Sequence, residues 1–329
     1  MTDAKPFASL TPDHILDAVE DAGLRCDGNL LALNSFENRV WQVGQEDAAP
    51  VVVKFYRAAR WSDEAILEEH AFTLELAARE IPVVAPLRLR GSTLHHFEDL
   101  RLAVYPRRGG RAPELEDPQV LEWLGRFMGR IHAVGALAPF AARPTLDVDS
   151  FGEASVDFIL DSERIPEQLE QTWCSVAEQA LDAARLCFER AGRVRTIRLH
   201  GDCHAGNVLW TPDGPHFVDF DDARMGPAVQ DLWMLLSGDE QAMARQLDHV
   251  FAGYEDFADF DRGELYLIEA LRTLRLLHFA AWLARRWDDP AFPAAFPWFD
   301  GPRYWEEHIL ALREQVALME ESPLVRLCG

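Results

Sequence analysis

The chain has 329 residues, enough for two domains or one two-lobed unit at roughly 100–200 residues per domain. Its 48% hydrophobic content is that of a globular protein and excludes a disordered, aromatic-poor chain. With 32 basic against 55 acidic side chains the net charge is −23, which repels phosphate backbones and anionic lipid, so neither nucleic acid nor membrane is an expected partner. The five cysteines, Cys26, Cys174, Cys187, Cys203 and Cys328, are scattered and form no Cys-x-x-Cys pair. That pattern argues against a disulfide framework and a zinc knuckle. The start, Met1 to Pro6, lacks an apolar signal core, and Arg272, Arg275, Arg285 and Arg286 interrupt the most apolar late stretch. A reducing cytoplasm is the expected compartment.

In chain order, Thr11 followed by Pro12 announces a first helix with Ile15, Val19 and Ala22 on one side, closed by Gly23. Strands are expected over 30–33, 39–43 and 51–56, the last with Val51, Val53 and Phe55 alternating with Val52, Lys54 and Tyr56. Ser62 caps a helix with Asp63 and Glu64 in its positive first turn, running to about Glu80 before Pro82 stops it. A strand over 100–105 ends at Pro106, and the Gly/Pro-punctuated stretch 107–113 reads as a linker. Beyond it, Asp117-Pro118 opens a helix with Leu121, Leu124, Met128 and Ile131 on one stripe. Long amphipathic segments are expected near 166–191 and 240–290, with two short strands around a polar loop at 197–222. The reading is an α+β, two-lobed chain: a small β-rich lobe at 1–106 and a larger, mainly helical lobe at 107–329.

Chemistry concentrates in Arg198-Leu-His200-Gly-Asp202-Cys-His204-Ala-Gly-Asn207, where His-x-Asp is followed five residues on by Asn. Kinase catalytic loops use this spacing. Asp202 can accept the proton of an attacking hydroxyl, Asn207 can offer a neutral oxygen to Mg2+, and Gly201 and Gly206 let the loop turn tightly. Val218-Asp219-Phe220-Asp221 reads as a short buried strand ending in a carboxylate. The three acids Asp219, Asp221 and Asp222 repel one another, and a divalent cation relieves that repulsion. Asp219 is the second catalytic and metal-binding candidate. Upstream, Lys54 occupies the place of the strand-borne lysine that holds nucleotide phosphates. Its partner is expected to be Glu69, which shares a face with Ile66, Phe72 and Leu76, with Glu68 as the fallback. The loop expected to cover the nucleotide, 34–39, has no glycine, leaving Ser35 and Asn38 as candidate phosphate contacts. ATP with Mg2+ is the expected cofactor pair.

These residues resemble the aminoglycoside phosphotransferase/choline kinase/homoserine kinase superfamily, whose fold is protein-kinase-like and bilobal. His200-Gly-Asp202-x-His204-x-Gly-Asn207 is that superfamily's form of the loop; eukaryotic-type protein kinases place a lysine where this chain has His204. Longer blocks are similar to the bacterial stress response kinase A group: Asn34-Ser-Phe-Glu-Asn-Arg-Val40, Val53-Lys-Phe-Tyr-Arg57 with Arg60-Trp61, and Ile66-Leu-Glu-Glu-His70. So are Gly226-Pro-Ala-Val-Gln-Asp-Leu-Trp-Met234 and Ala281-Trp-Leu-Ala-Arg-Arg-Trp287. The resemblance implies a cytoplasmic Ser/Thr protein kinase, able to autophosphorylate and linked to stress, with Asp202 as proton acceptor and Asn207 and Asp219 on Mg2+. It also implies that Asp231 braces the catalytic loop. A protein Ser/Thr substrate is the expected partner of a monomeric enzyme. A small-molecule kinase fits the loop equally well; a pseudokinase would need the set Lys54, Asp202, Asn207 and Asp219 to be broken. Cys203 reads as a buried inert thiol and His132 as a hydrogen-bonded structural histidine.

Overall fold

The computed structural model describes Phe7 and residues 9–328. The apolar-poor start at Met1 to Pro6 lies outside the described residues, as does the Cys328 side chain. The chain divides into two compact units. One runs up to Pro113 and adds Ala141–Arg143 and Gly206–Asp222. The other comprises Glu114–Phe140, Pro144–Ala205 and the chain from Ala223 onward.

The first unit opens with α1 (Pro12–Asp21), capped by the Thr11 hydroxyl, which accepts from the His14 N–H as the sequence anticipates. Then come β1 (Cys26–Leu33), β2 (Arg39–Gln45), β3 (Val51–Phe55), α2 (Asp63–Ala78), β4 (His95–Phe97) and β5 (Leu100–Pro106). The strands form one antiparallel sheet in the order β1-β2-β3-β5-β4. Alternation on β3 decides which face each residue serves. Val51, Val53 and Phe55 pack with Ile15 and Val19 of α1 and with Leu102 and Val104. Tyr56, just past the strand, joins Ile66 of α2 and Ala103 on the opposite face. Burying Val53 or Phe55 completely stabilises by roughly 1.5–3 kcal/mol each. Lys54, opposite Val40 on β2 and Ala103 on β5, is therefore held in the middle of the sheet on the α2 face.

The second unit begins with α3 (Pro118–Gly135), capped by Asp117, with Leu121, Leu124, Met128 and Ile131 buried. It continues through α4 (Ala154–Asp161) and α5 (Glu167–Ala191). The segment 197–222, expected as two strands around a loop, holds three strands instead: β6 (Ile197–Leu199), β7 (Val208–Thr211) and β8 (Gly214–Phe217). With β9 (Arg224–Gly226) just beyond, they make two separate hairpins. β6 pairs with β9 in the second unit, whereas β7 pairs with β8 in the first. Then follow α6 (Val229–Trp233), α7 (Glu240–Tyr254), α8 (Leu267–Arg285), α9 (Ala291–Ala295), α10 (Pro302–Glu321) and α11 (Pro323–Cys328). The amphipathic run expected over 240–290 is broken between α7 and α8, where Asp261 caps a short 3-10 turn by accepting from Gly263 N–H at 2.9 Å. A Cβ on Gly125 or Gly129 of α3 would lie 2.0 Å from Val250 O or 2.5 Å from Tyr254 O of α7, so these two helices pack at a spacing only glycine permits. No helix among the described residues is long and apolar enough to cross a membrane.

Candidate active site

In the first unit Lys54 is buried, and its Nζ lies 2.7 Å from Asp219 Oδ1 and 3.6 Å from Asp221 Oδ1. Burial works against the ammonium, yet Asp219 and Asp221 more than offset it and raise the Lys54 pKa. Asp219 does not end a strand as expected. β8 stops at Phe217, Asp219 takes a left-handed backbone with φ +59°, and 220–222 forms a 3-10 turn. A non-glycine residue in that region carries strain, and here the bend swings the carboxylate toward Lys54. Val218 N–H donates to Asn207 O at 3.0 Å, so the hairpin register sets Asn207 opposite the residue preceding Asp219.

The other two acids are already matched. Arg60, nearly buried, forks between the Asp221 carboxylate and Asp222 Oδ1, the latter at 2.9 Å. Burial disfavours a charged Asp221, but Arg60 and Lys54 hold its carboxyl below the ordinary value. The repulsion that the sequence suggested a divalent cation would relieve is thus largely answered by two side chains. Asp219 is the exposed member, with 51% of its side chain accessible against 5% for Asp221.

On α2 the structure separates the two candidate glutamates. Glu68 accepts three backbone N–H bonds, from Ala141 at 2.7 Å, Ala142 at 2.9 Å and Arg143 at 3.1 Å. Glu69 is the inward one, buried with Ile66, Phe72 and Leu76. Its carboxylate lies 3.9 Å from Arg143 Nη2. Burial pushes its pKa up to about 7, although Lys54 and Arg143 pull the other way. Sequence reasoning missed a polar cluster beside Lys54: Tyr56 OH is 2.9 Å from His70 Nε2 and 3.0 Å from Tyr105 OH, and His70 Nδ1 is 2.9 Å from Thr93 Oγ1. Burial lowers the His70 pKa to about 3, so its ring is neutral there.

The 34–39 loop splits the two phosphate-contact candidates. Asn38 is buried and its Oδ1 accepts from Arg57 N–H at 3.1 Å, while Ser35 is half-buried. Arg57 also donates to the carbonyls of Glu37 at 2.9 Å and Phe36 at 3.3 Å.

In the second unit the loop after β6 hangs on one residue. Asp231 of α6 is fully buried; its Oδ2 accepts from His200 N–H and its Oδ1 from Gly201 N–H, both at 2.8 Å. His132 Nε2 lies 3.1 Å from Asp231 Oδ2 and its Nδ1 3.0 Å from Tyr254 OH, which makes it the structural histidine expected. Gln230 Nε2 donates to Gly201 O at 3.2 Å. On this brace Asp202 is partly exposed, its Oδ1 2.7 Å from Arg275 Nη1 of α8 and its Oδ2 3.5 Å from His204 Nε2. Cys203 is fully buried, and burial, with Asp231 and Asp202, raises its thiol pKa.

Residues 30–268 match the model of the phosphotransferase enzyme family. The chain belongs to that family. The stress response kinase A of Escherichia coli strain K12 is 44% identical over 318 residues, covering 97% of this chain and 96% of that protein. The serine/threonine protein kinase RdoA of Salmonella typhimurium strain LT2 matches to the same extent. Among solved structures, a microcompartment-associated aminopropanol kinase aligns with a TM-score of 0.70 at 18% identity, over 95% of this chain and 99% of that one. An amicoumacin kinase bound to AMP-PNP, Ca2+ and amicoumacin aligns at 0.68 and 20%, over 88% and 92%. These likenesses show the fold: a small antiparallel-sheet lobe and a helical lobe. The chain is an ATP-dependent phosphotransferase.

As a member of the phosphotransferase family it needs somewhere to hold a divalent ion. Among the described residues no three His, Cys, Asp or Glu side chains gather around a common point. The ends of the β7–β8 hairpin carry instead one half-exposed carboxylate, Asp219, and one amide residue, Asn207, whose backbone oxygen accepts from Val218 N–H. That sparse set fits Mg2+, which keeps several waters and takes phosphate oxygens to complete its shell.

Proposed function

We propose that this phosphotransferase is a Ser/Thr protein kinase that moves the γ-phosphate of ATP to a protein hydroxyl. The observation that carries this reading is the 44% identity, over 97% of the chain, to relatives named as stress response and serine/threonine protein kinases. Residues 1–106 serve as the nucleotide-binding lobe, and 107–329 as the lobe that carries the catalytic residues and takes the acceptor. Asp202 takes the proton from the acceptor Ser or Thr as its oxygen bonds to the γ-phosphorus and the bond to the β,γ-bridging oxygen breaks, releasing ADP. Mg2+, when bound, neutralises charge developing between the β- and γ-phosphates. Asn207 and Asp219 would hold it, and Lys54, which pairs with Asp219 and Asp221 rather than with the expected Glu69, offers its ammonium to the phosphates. Ser35 is the remaining candidate for a phosphate contact from the 34–39 loop, since the Asn38 oxygen already serves Arg57 N–H. The enzyme acts as a cytoplasmic monomer.

The test is incubation of the purified protein with labelled ATP and Mg2+, alone, with a protein and peptide panel, and with amino-alcohols, sugars and aminoglycosides. Label on protein Ser or Thr is the expected result. Label confined to a small molecule would reassign the acceptor and leave the phosphotransfer chemistry standing.

A further inference from the structure

We propose that Arg60 is a built-in counter-ion for the phosphate site: it occupies Asp221 and Asp222 permanently, leaves Asp219 alone for exchangeable metal, and locks the glycine-free loop to the same segment. This rests on the reading of Asp219 as the metal carboxylate. The guanidinium reaches three carboxylates at once. It contacts Asp221, lies 2.9 Å from Asp222 Oδ1, and its Nη1 lies 3.6 Å from Glu37 Oε2. Its Cζ sits 5.4 Å from the Trp61 ring centroid, and the same ring carries Arg143 on it at 4.6 Å, which braces the fork.

Glu37 is the second limb of the device. Its carboxylate is shared, with Oε1 3.2 Å from Arg57 Nε and Oε2 facing Arg60. Arg57 in addition draws in the Phe36 and Glu37 carbonyls. The loop that flexes on glycines in other kinases is here fastened from below by two arginines, and one of them also grips the acids next to Asp219. Position of the loop and charge of the metal segment are therefore tied through a single side chain. A planar, permanently charged fork suits that task; a lysine supplies a compact point charge without the fork that matches carboxylates two bonds at a time.

The sign of the consequence follows from charge. Without Arg60, Asp222 loses this partner and Asp221 keeps Lys54 at 3.6 Å, so unbalanced negative charge remains beside the place for nucleotide phosphates, and added cation offsets it. Metal-free ATP should suffer most.

The experiment measures dissociation constants of a fluorescent ATP analogue, with and without Mg2+, together with melting temperature. Arg60→Met is expected to weaken metal-free binding by about tenfold or more and Mg2+-supported binding by about threefold, so binding becomes more metal-dependent. Arg60→Met combined with Asp221→Asn should recover most of the metal-free loss, because the excess charge is gone. Arg60→Lys, which keeps the charge and guards against a methionine variant that fails to fold, should fall between wild type and Arg60→Met. Equal losses with and without Mg2+, no recovery in the double variant, or a lysine variant equal to wild type would each overturn the proposal. A wild type that binds no nucleotide defeats the phosphate-site reading itself, and the proposal falls with it.

Discussion

Lys54 Nζ and Asp219 Oδ1 stand 2.7 Å apart, although the two residues are separated by 165 positions in the chain. One is locked in the centre of a sheet; the other sits on a strained bend beyond a hairpin and is half exposed. The rigid partner thus fixes where the bend can go. On the proposed reading, nucleotide phosphates would compete for the ammonium and free Asp219 for metal. Lys54→Met should raise the KM for ATP by about tenfold or more, since a point charge near the phosphates is lost. Asp221 retains Arg60, so the accompanying stability loss should stay near 1–3 kcal/mol. Steady-state kinetics with a melting curve decide it: an unchanged KM for ATP removes Lys54 from the phosphate site.

Asp202→Ala should cut turnover by about 10²–10⁴-fold, the usual cost of deleting a general base. Its ion pair with Arg275 is between partly exposed groups, so melting should shift little. Near-normal turnover would take the proton-accepting role away from Asp202.

Asp231 makes the opposite combination. Asp231→Asn replaces an acceptor oxygen by an amide that must face an N–H donor in a fully buried site. We expect a loss of about 1–3 kcal/mol, with Tm falling by about 1–2 °C for each kcal/mol at this chain length. Turnover should fall too, because the loop carrying Asp202 loses part of its anchor at His200 and Gly201. The informative measurement is ATP affinity in the variant. Asp231 also faces His132, but both of its backbone N–H bonds hold the loop after β6, so that affinity should hold while kcat drops; equal losses in both would mean a general unfolding effect.

The residues that could be read directly were those whose role depends on local pattern. Thr11 and Asp117 cap as their sequence neighbours require, and Glu69 points inward because its helical face is apolar. The spacing from His200 to Asn207 marked the loop, and Asp231 holds it. What escaped were relations fixed by tertiary pairing. Two strands around a polar loop were legible in 197–222, but nothing local says that a third forms, or that β7 and β8 pair within the N-terminal unit while β6 and β9 pair elsewhere. The left-handed φ of Asp219 accompanies a contact with Lys54, 165 positions upstream, and has no local signal. Arg275 and Arg143 bear no motif at all. Arg60 had one available signal: three acids within four positions need positive charge, and a guanidinium is an alternative to a metal ion.

Glu69 offers a pH test. Burial raises its pKa from 4.5 to about 7, so the folded state binds its proton more tightly than the unfolded state does. Stability from this group is full below about 4.5 and is lost as pH rises through about 7. Glu69→Gln has no such proton, so relative to the variant, wild type should lose about 1–3 kcal/mol across that window. Glu264, raised by burial to about 7 as well, is present in both proteins and cancels in the difference. Denaturant melts at several pH values provide the curve, and parallel profiles would show that Glu69 is not buried as an acid. Glu68→Gln should instead weaken the three amide bonds at Ala141 to Arg143 without that pH signature.

His204 stands where eukaryotic-type protein kinases carry a lysine, and two roles are open to it. It can donate to a γ-phosphate oxygen, or it can tie the loop together. The local contacts favour the first. Its ring is 42% exposed, and its 3.5 Å ion pair with Asp202 Oδ2 is a long contact between partly exposed groups, the kind that adds little stability. The loop's rigidity comes instead from the fully buried Asp231 carboxylate and from His204's own backbone N–H, which donates to Asp202 O at 2.9 Å whatever the side chain is. Truncating the ring should therefore leave folding alone and remove a donor only when phosphate is present. We expect His204→Ala to keep the wild-type melting temperature and lose about tenfold or more in turnover, the scale of one charge-assisted hydrogen bond. His204→Lys should retain more activity than the alanine variant, because an ammonium can serve the same oxygen. If both substitutions lower the melting temperature and lysine gives no rescue, the ring is a brace after all. An alanine variant with full activity and unchanged melting would rule out both roles.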